Sequence, residues 1–141
     1  VLQETGAQTM LKKNLPLTRT LYEQERDRIT TYLRNHGYAY FYSNYIAPLD
    51  VDTTEVANKA RVYLQVLAPP GDSVHQVYQV GKISVFSQYD PTIEESTLRD
   101  TTINNIRFVT PNNVFKVKPQ VIINSIFLRE GDLYSQENYD K

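Results

Sequence analysis

The chain of 141 residues has no cysteine, no tryptophan, one methionine and only five glycines. Without cysteine there are no disulfides, no thiolate nucleophile and no thiolate-bound metal. No run approaches the about 18 apolar residues that a membrane-spanning helix needs, and no secretory leader is visible. Neither sign of charge dominates. Fifteen Lys and Arg against sixteen Asp and Glu leave a net charge of −1, so there is no basic footprint for nucleic acid. The phosphate-binding, zinc-protease and nucleophile-elbow motifs are absent as well. With no nucleophile–base pair identifiable, the expectation is a non-enzymatic chain with no catalytic residue and no cofactor.

What is present is a globular composition, 40% hydrophobic, long enough for one ordinary domain or two small ones. Tyrosine is abundant, with eleven residues against five phenylalanines. Its ring suits half-buried strand positions and sticky surfaces alike. His36 and His75 lie far apart and read as structural or surface residues. Asp50-Val51-Asp52 and Glu94-Glu95 lack the spacing and central glycine of a calcium loop, so they read as solvated charge and no metal site is expected.

One pattern occurs twice. Leu11-Lys12-Lys13-Asn14-Leu15-Pro16-Leu17-Thr18, followed by Tyr22, aligns with Leu128-Arg129-Glu130-Gly131-Asp132-Leu133-Tyr134-Ser135, followed by Tyr139, at a constant offset of 117 residues. Asn14 and Gly131 both tolerate a left-handed backbone at a helix end. Thr18 and Ser135 are both good helix N-caps. Each copy reads as helix end, tight loop, helix start.

Along the chain, residues 4–12 predict a short helix ending at Asn14. Thr18 or Thr20 begins a second helix, with Thr20 and Glu23 spaced as a capping box. Leu21 or Tyr22, Ile29, Tyr32 and Leu33 mark its inner face, and Gly37 closes it. Glu23, Glu25, Arg26, Asp27, Arg28 and Arg34 read as a solvated charged surface. Tyr38 to Ile46 predicts a strand stopped by Pro48, residues 49–58 a polar connection, and Arg61 to Leu67 an alternating strand antiparallel to the first. Ala68-Pro69-Pro70-Gly71-Asp72 marks a domain boundary, giving modules 1–70 and 71–141. In the second module, Val77 to Phe86 predicts a strand bulged at Gly81, and residues 87–102 a loop. Ile106–Val109 and Val114–Val117 predict a hairpin around Pro111-Asn112-Asn113. A helix then starts at Pro119 and runs to Gly131. Its near-continuous apolar run implies burial. Lys141 falls inside a helix barely begun, which predicts an excised piece of a longer protein and leaves Ile122, Ile126 and Phe127 partly uncovered.

Supplying a strand ahead of residue 1 makes the repeat β-α-α-β-β. That order, with Glu25-Arg26-Asp27-Arg28-Ile29-Thr30-Thr31-Tyr32-Leu33-Arg34-Asn35-His36-Gly37-Tyr38 and Ile126-Phe127-Leu128-Arg129-Glu130-Gly131-Asp132-Leu133-Tyr134-Ser135, resembles the polypeptide-transport-associated (POTRA) domains of the Omp85 superfamily of outer-membrane assembly proteins. The resemblance covers nearly all the chain except residues 87–118, which read as an insertion. It implies an α+β fold of tandem modules, each with helices on one face of a small three-stranded mixed sheet, the second truncated. Gly37, Tyr38, Gly131 and Ser135 are then the structural motif. It also implies a place on the periplasmic side of the outer membrane, with attachment only through a C-terminal barrel outside this chain. The partners implied are unfolded outer-membrane proteins and accessory assembly subunits, with no nucleic acid. The corresponding second strand lies at a sheet edge, so Tyr40, Tyr42, Ser43, Asn44, Tyr45 and Ile46 are the expected partner-binding residues, acting by β-strand augmentation. The alternatives are a structural spacer, or a periplasmic adaptor without chaperone activity.

Overall fold

The computed structural model describes residues 6–54, 57–88 and 90–141. The chain is α+β, with few helices and two small sheets among the described residues. It divides into two compact units. One comprises the chain up to Tyr78 with Tyr134–Glu137, and the other Gln79–Leu133 with Asn138–Lys141. The division falls after Tyr78 and not in the Pro69-Pro70-Gly71 turn, because residues 75–78 pack and hydrogen-bond back onto the first unit.

The first unit is built on α1, Arg19–Arg34. Thr18 caps it by accepting the Leu21 N–H at 3.1 Å, so the cap is Thr18 and the Thr20 box is not used. At the other end Gly37 takes φ +94° and the Tyr38 N–H reaches back to the Leu33 carbonyl at 3.1 Å. This is the six-to-one bond that a left-handed residue permits. The inner face buries Tyr22, Ile29 and Leu33 as the spacing predicts. Ile29 and Leu33 pack with Phe41 and Ile46 into the core, flanked by Tyr32, Tyr38, Tyr45 and Val66. Ahead of α1, the helix expected over 4–12 is a single 3-10 turn, Gly6–Gln8; its first residues lie outside the described ones.

Tyr22 is wholly buried, and its hydroxyl donates to the Ala47 carbonyl at 2.8 Å. Burial pushes the phenol above its ordinary pKa, against the opposing pull of Arg26, which keeps it a donor. Tyr22→Phe leaves that carbonyl unpaired and is expected to cost about 1–2 kcal/mol in urea unfolding.

The strand expected over Tyr38–Ile46 does not form. Residues 39–40 are a turn and Ser43–Tyr45 a 3-10 turn. The Phe41, Tyr45 and Ile46 N–H groups bond to the Tyr38, Tyr42 and Ser43 carbonyls. Only Ile46 bridges across, to Val66. The strand pair is instead β1 (Asp50–Asp52) with β2 (Arg61–Tyr63), antiparallel, Val51 opposite Val62. β1 thus lies in the segment expected as a polar connection. The Ala47 N–H also reaches the Gln65 carbonyl at 2.9 Å, and the register slips by one residue around Pro48, which has no N–H to pair.

In the second unit β3 (Ser84–Phe86), β4 (Leu98–Ile103) and β5 (Ile106–Pro111) form a mixed sheet in the order β3-β5-β4. β3 runs parallel to β5, and β4 antiparallel. The hairpin therefore turns at Asn104-Asn105, both with positive φ, and not at Asn112-Asn113. Residues 98–102, expected in a loop, belong to its first strand, Leu98–Ile103. Central β5 buries Ile106, Phe108, Val109 and Thr110, and Phe115 meets the Phe108 ring edge-on at 5.8 Å. The strand expected over Val77–Phe86 is broken at Gly81–Ile83. Gln79 bridges to Leu133, and regular pairing resumes at Ser84.

α2 is only Pro119–Asn124, with Pro119 in its first turn. It stops at Ser125, whose hydroxyl bonds back to the Ile122 carbonyl at 2.8 Å, and does not continue to Gly131. Val121 is 58% and Phe127 52% exposed, and Ile122 and Ile126 are half-buried. The burial implied by the apolar run is absent, while the partial exposure of Ile122, Ile126 and Phe127 is as expected. α3, Gln136–Tyr139, begins directly after Ser135.

The sequence repeat is a repeated turn. Leu15 N–H bonds the Lys12 carbonyl at 3.3 Å, and Asp132 N–H bonds the Arg129 carbonyl at 3.2 Å, the same positions in each copy. Asn14 has φ +66° and Gly131 φ +88°, each the third residue of its turn. A positive φ there is what a type II turn requires. Neither residue ends a helix, so the expected helix-end role is corrected to a loop turn.

Candidate functional site

The expected partner-binding residues stay together at the surface, but as a turn. Tyr40 is 63% exposed, Tyr42 and Asn44 are exposed, Ser43 and Tyr45 half-buried, and Ile46 fully buried. With the Phe41, Tyr45 and Ile46 N–H groups spent inside the segment, it has no free row of backbone groups for an incoming strand. Augmentation at Tyr40–Ile46 is therefore withdrawn.

What these residues build is an aromatic cleft of about 210 Å³ within the first unit. Tyr38, Tyr40, Tyr45, Pro69, Pro70 and Tyr78 line it. Tyr40 and Tyr78 meet edge to face at 5.1 Å, an attractive ring geometry. His75 is half-buried between Phe41 and Tyr45, at 4.8 and 4.7 Å between ring centroids, and its Nε2 lies 2.8 Å from the Leu67 carbonyl. Asp72 at the rim is held below the usual carboxylate pKa by the Gln76 amide and then the Ser73 N–H, so it remains charged at neutral pH. A wider opening of about 520 Å³ adjoins the cleft, lined by Leu33, Phe41, Val66 and Val74.

The backbone holds these rings in place. Tyr78 N–H donates to the Gly37 carbonyl at 2.8 Å, and Gly37 N–H to the Tyr134 carbonyl at 2.9 Å. Arg34 sits over the Tyr42 ring at 5.7 Å. The expected motif residues are accounted for: Gly37 and Tyr38 close α1, Gly131 turns its loop, and Ser135 contacts the Asn35 side chain at 3.4 Å. Pro69, Pro70, His75 and Tyr78 were not anticipated. Their signal was the resumption of aromatic residues just after a Pro-Pro-Gly break.

Glu25 departs most from expectation. It is 1% exposed, not solvated. Its carboxylate accepts from Thr9 Oγ1 and Met10 N–H at 2.8 Å each, and from Arg28 Nε at 2.9 and Nη2 at 2.7 Å. A carboxylate this fully occupied is a clamp between α1 and the preceding segment. His36 is exposed, stacked on Tyr32 at 4.0 Å. Among the described residues no three His, Asp or Glu side chains gather as a metal site, and no helix is long and apolar enough to cross a membrane. The cleft combines tyrosine and proline faces with the polar groups of Asp72, His75 and Gln76.

No family model, curated protein or solved structure matches the chain.

Proposed function

We propose that this chain is a non-enzymatic, POTRA-like protein-binding module on the periplasmic side of the outer membrane, which holds extended segments of outer-membrane proteins or accessory subunits against its tyrosine cleft. The observation that carries the reading is the Tyr40–Tyr78 pair. Both rings are exposed, yet fixed by an edge-to-face contact beside a proline-walled cleft. Rigid exposed tyrosines offer large contact area at small entropic cost, which makes them frequent energetic centres of interfaces. Barrel strands alternate apolar and polar side chains and carry aromatic girdles, so their unfolded segments present side chains that such a cleft accepts. The helix closed by Gly37 and Tyr38 and the turn repeated near Gly131 support the modular part of the reading.

The test is fluorescence anisotropy with a labelled peptide of alternating aromatic and polar residues. Tyr40→Ala combined with Tyr78→Ala is expected to weaken binding about tenfold, or ~1.4 kcal/mol. Both side chains are exposed, so the fold, followed by circular dichroism, is expected to persist. Equal affinity of variant and parent, or no binding of the peptide by the parent, would sink the reading.

A further inference from the structure

On the first unit, the loop 11–17, the first turns of α1 and the approach to β2 enclose a groove of about 750 Å³. Its floor is apolar: Leu17, Leu21, Val62 and Leu64 all line it. Its rim carries Lys12, Lys13 and Lys59, all exposed, and among the described residues no carboxylate lines it. Among the described residues none of these lysines has an acidic partner. A chain with a net charge of −1 thus concentrates unpaired positive charge around one apolar depression.

The backbone sets this arrangement. Asn14 has φ +66° and Asn58 φ +61°, so each bank of the groove is turned by an asparagine in the left-handed region. Lys13 immediately precedes the first and Lys59 follows the second, which puts the ammonium groups at the two turns. The volume falls in the usual range of ligand sites.

We propose that this groove is a docking site for an acidic amphipathic peptide segment of a partner protein, with apolar side chains on the leucine–valine floor and carboxylates against Lys12, Lys13 and Lys59. Charge complementarity defines the sign of the partner. A peptide is favoured over an anionic lipid because Ala60, Val62 and Leu64 line the groove at every second position, a spaced apolar row on one face of the β2 segment that the alternating side chains of an extended peptide match. The site is separate from the tyrosine cleft and does not depend on the reading given for it.

The experiment is anisotropy titration of the whole chain with a short labelled peptide alternating leucine and glutamate, beside the same peptide with lysine for glutamate. The acidic peptide is expected to bind with affinity that falls as salt rises. Lys12→Glu, Lys13→Glu and Lys59→Glu together are expected to weaken it roughly tenfold or more and to admit the basic peptide. Leu64→Asp, on the exposed part of the floor, is expected to weaken the acidic peptide while leaving the helical signal unchanged. Undiminished binding by the triple variant would overturn the proposal. So would equal binding of both peptides by the parent, or tight binding to phosphatidylglycerol vesicles that the acidic peptide fails to displace.

Discussion

Replacing Glu25 by alanine is expected to destabilise the first unit by roughly 3 kcal/mol, as broken buried ion pairs do. The carboxylate is 1% exposed and accepts four hydrogen bonds, two of them a fork from Arg28. Alanine leaves the Met10 N–H without its acceptor and removes both bonds that Arg28, at 17% side-chain exposure, makes to Glu25. Because Arg28 still reaches some water, the figure belongs at the low end of the range for such pairs. The Thr9–Leu11 segment loses its hold on α1, so cleavage by trypsin after Lys12 and Lys13 is expected to accelerate. Urea unfolding followed by tyrosine emission, unobscured because tryptophan is absent, measures the first effect, and a digestion time course the second.

The same carboxylate makes a pH prediction. Burial alone pushes the Glu25 pKa up, but the hydrogen bonds from Arg28, the Met10 N–H and Thr9, with the Arg28 charge, together outweigh it and hold the pKa below the usual value. A group depressed in the folded state stabilises the fold fully above its unfolded pKa, near about 4.3, and loses that contribution as pH falls through the folded value. The stability gap between the parent and Glu25→Gln is therefore expected to be constant near neutrality and to close below about pH 4. A gap unchanged in acid would mean that the carboxylate charge contributes nothing.

α1 was legible because three independent signals coincide: an apolar stripe, a threonine at its start and a glycine past its end. The burial of Glu25 was legible in part. Tyr22, Ile29 and Leu33 leave a gap in the stripe that position 25 fills, so a carboxylate there already sat on the inner face. It was masked by the neighbouring Glu23, Arg26 and Asp27, which make the whole stretch look solvated. The hairpin was misplaced for a different reason. Asn104-Asn105 and Asn112-Asn113 both adopt positive φ, so local turn chemistry does not choose between them. Pairing chooses, and β4, with its threonines and charges, lacks the hydrophobic content that announces a strand. Its β-branched Thr101, Thr102 and Ile103 were the available clue. In α2, the β-branched run Val121-Ile122-Ile123 is weak helix sequence, and Asn124 and Ser125 compete for backbone bonds, which ends the helix well before Gly131.

Substituting Ile46 by alanine is expected to cost about 2–5 kcal/mol, whereas Tyr40→Ala costs under about 0.5 kcal/mol. The contrast separates the turn from an alternating strand. A strand over Tyr38–Ile46 puts Tyr40, Tyr42, Asn44 and Ile46 on one face, so Tyr40 and Ile46 would share an environment and respond alike. In the turn, Ile46 is fully buried against Ile29, Leu33 and Phe41, while Tyr40 is 63% exposed. Alternation gave no warning, because aromatic residues occupy both parities of the segment and no period of two exists to read. The Ser43-Asn44 pair then tips the backbone towards local bonds, with Tyr45 and Ile46 N–H groups turning back to Tyr42 and Ser43. Deleting three carbons of Ile46 opens a cavity that α1 on one side and Val66 on the other, each fixed by its own backbone bonds, do not readily fill. Urea midpoints for the two variants measured side by side decide the matter, and equal losses would restore the strand.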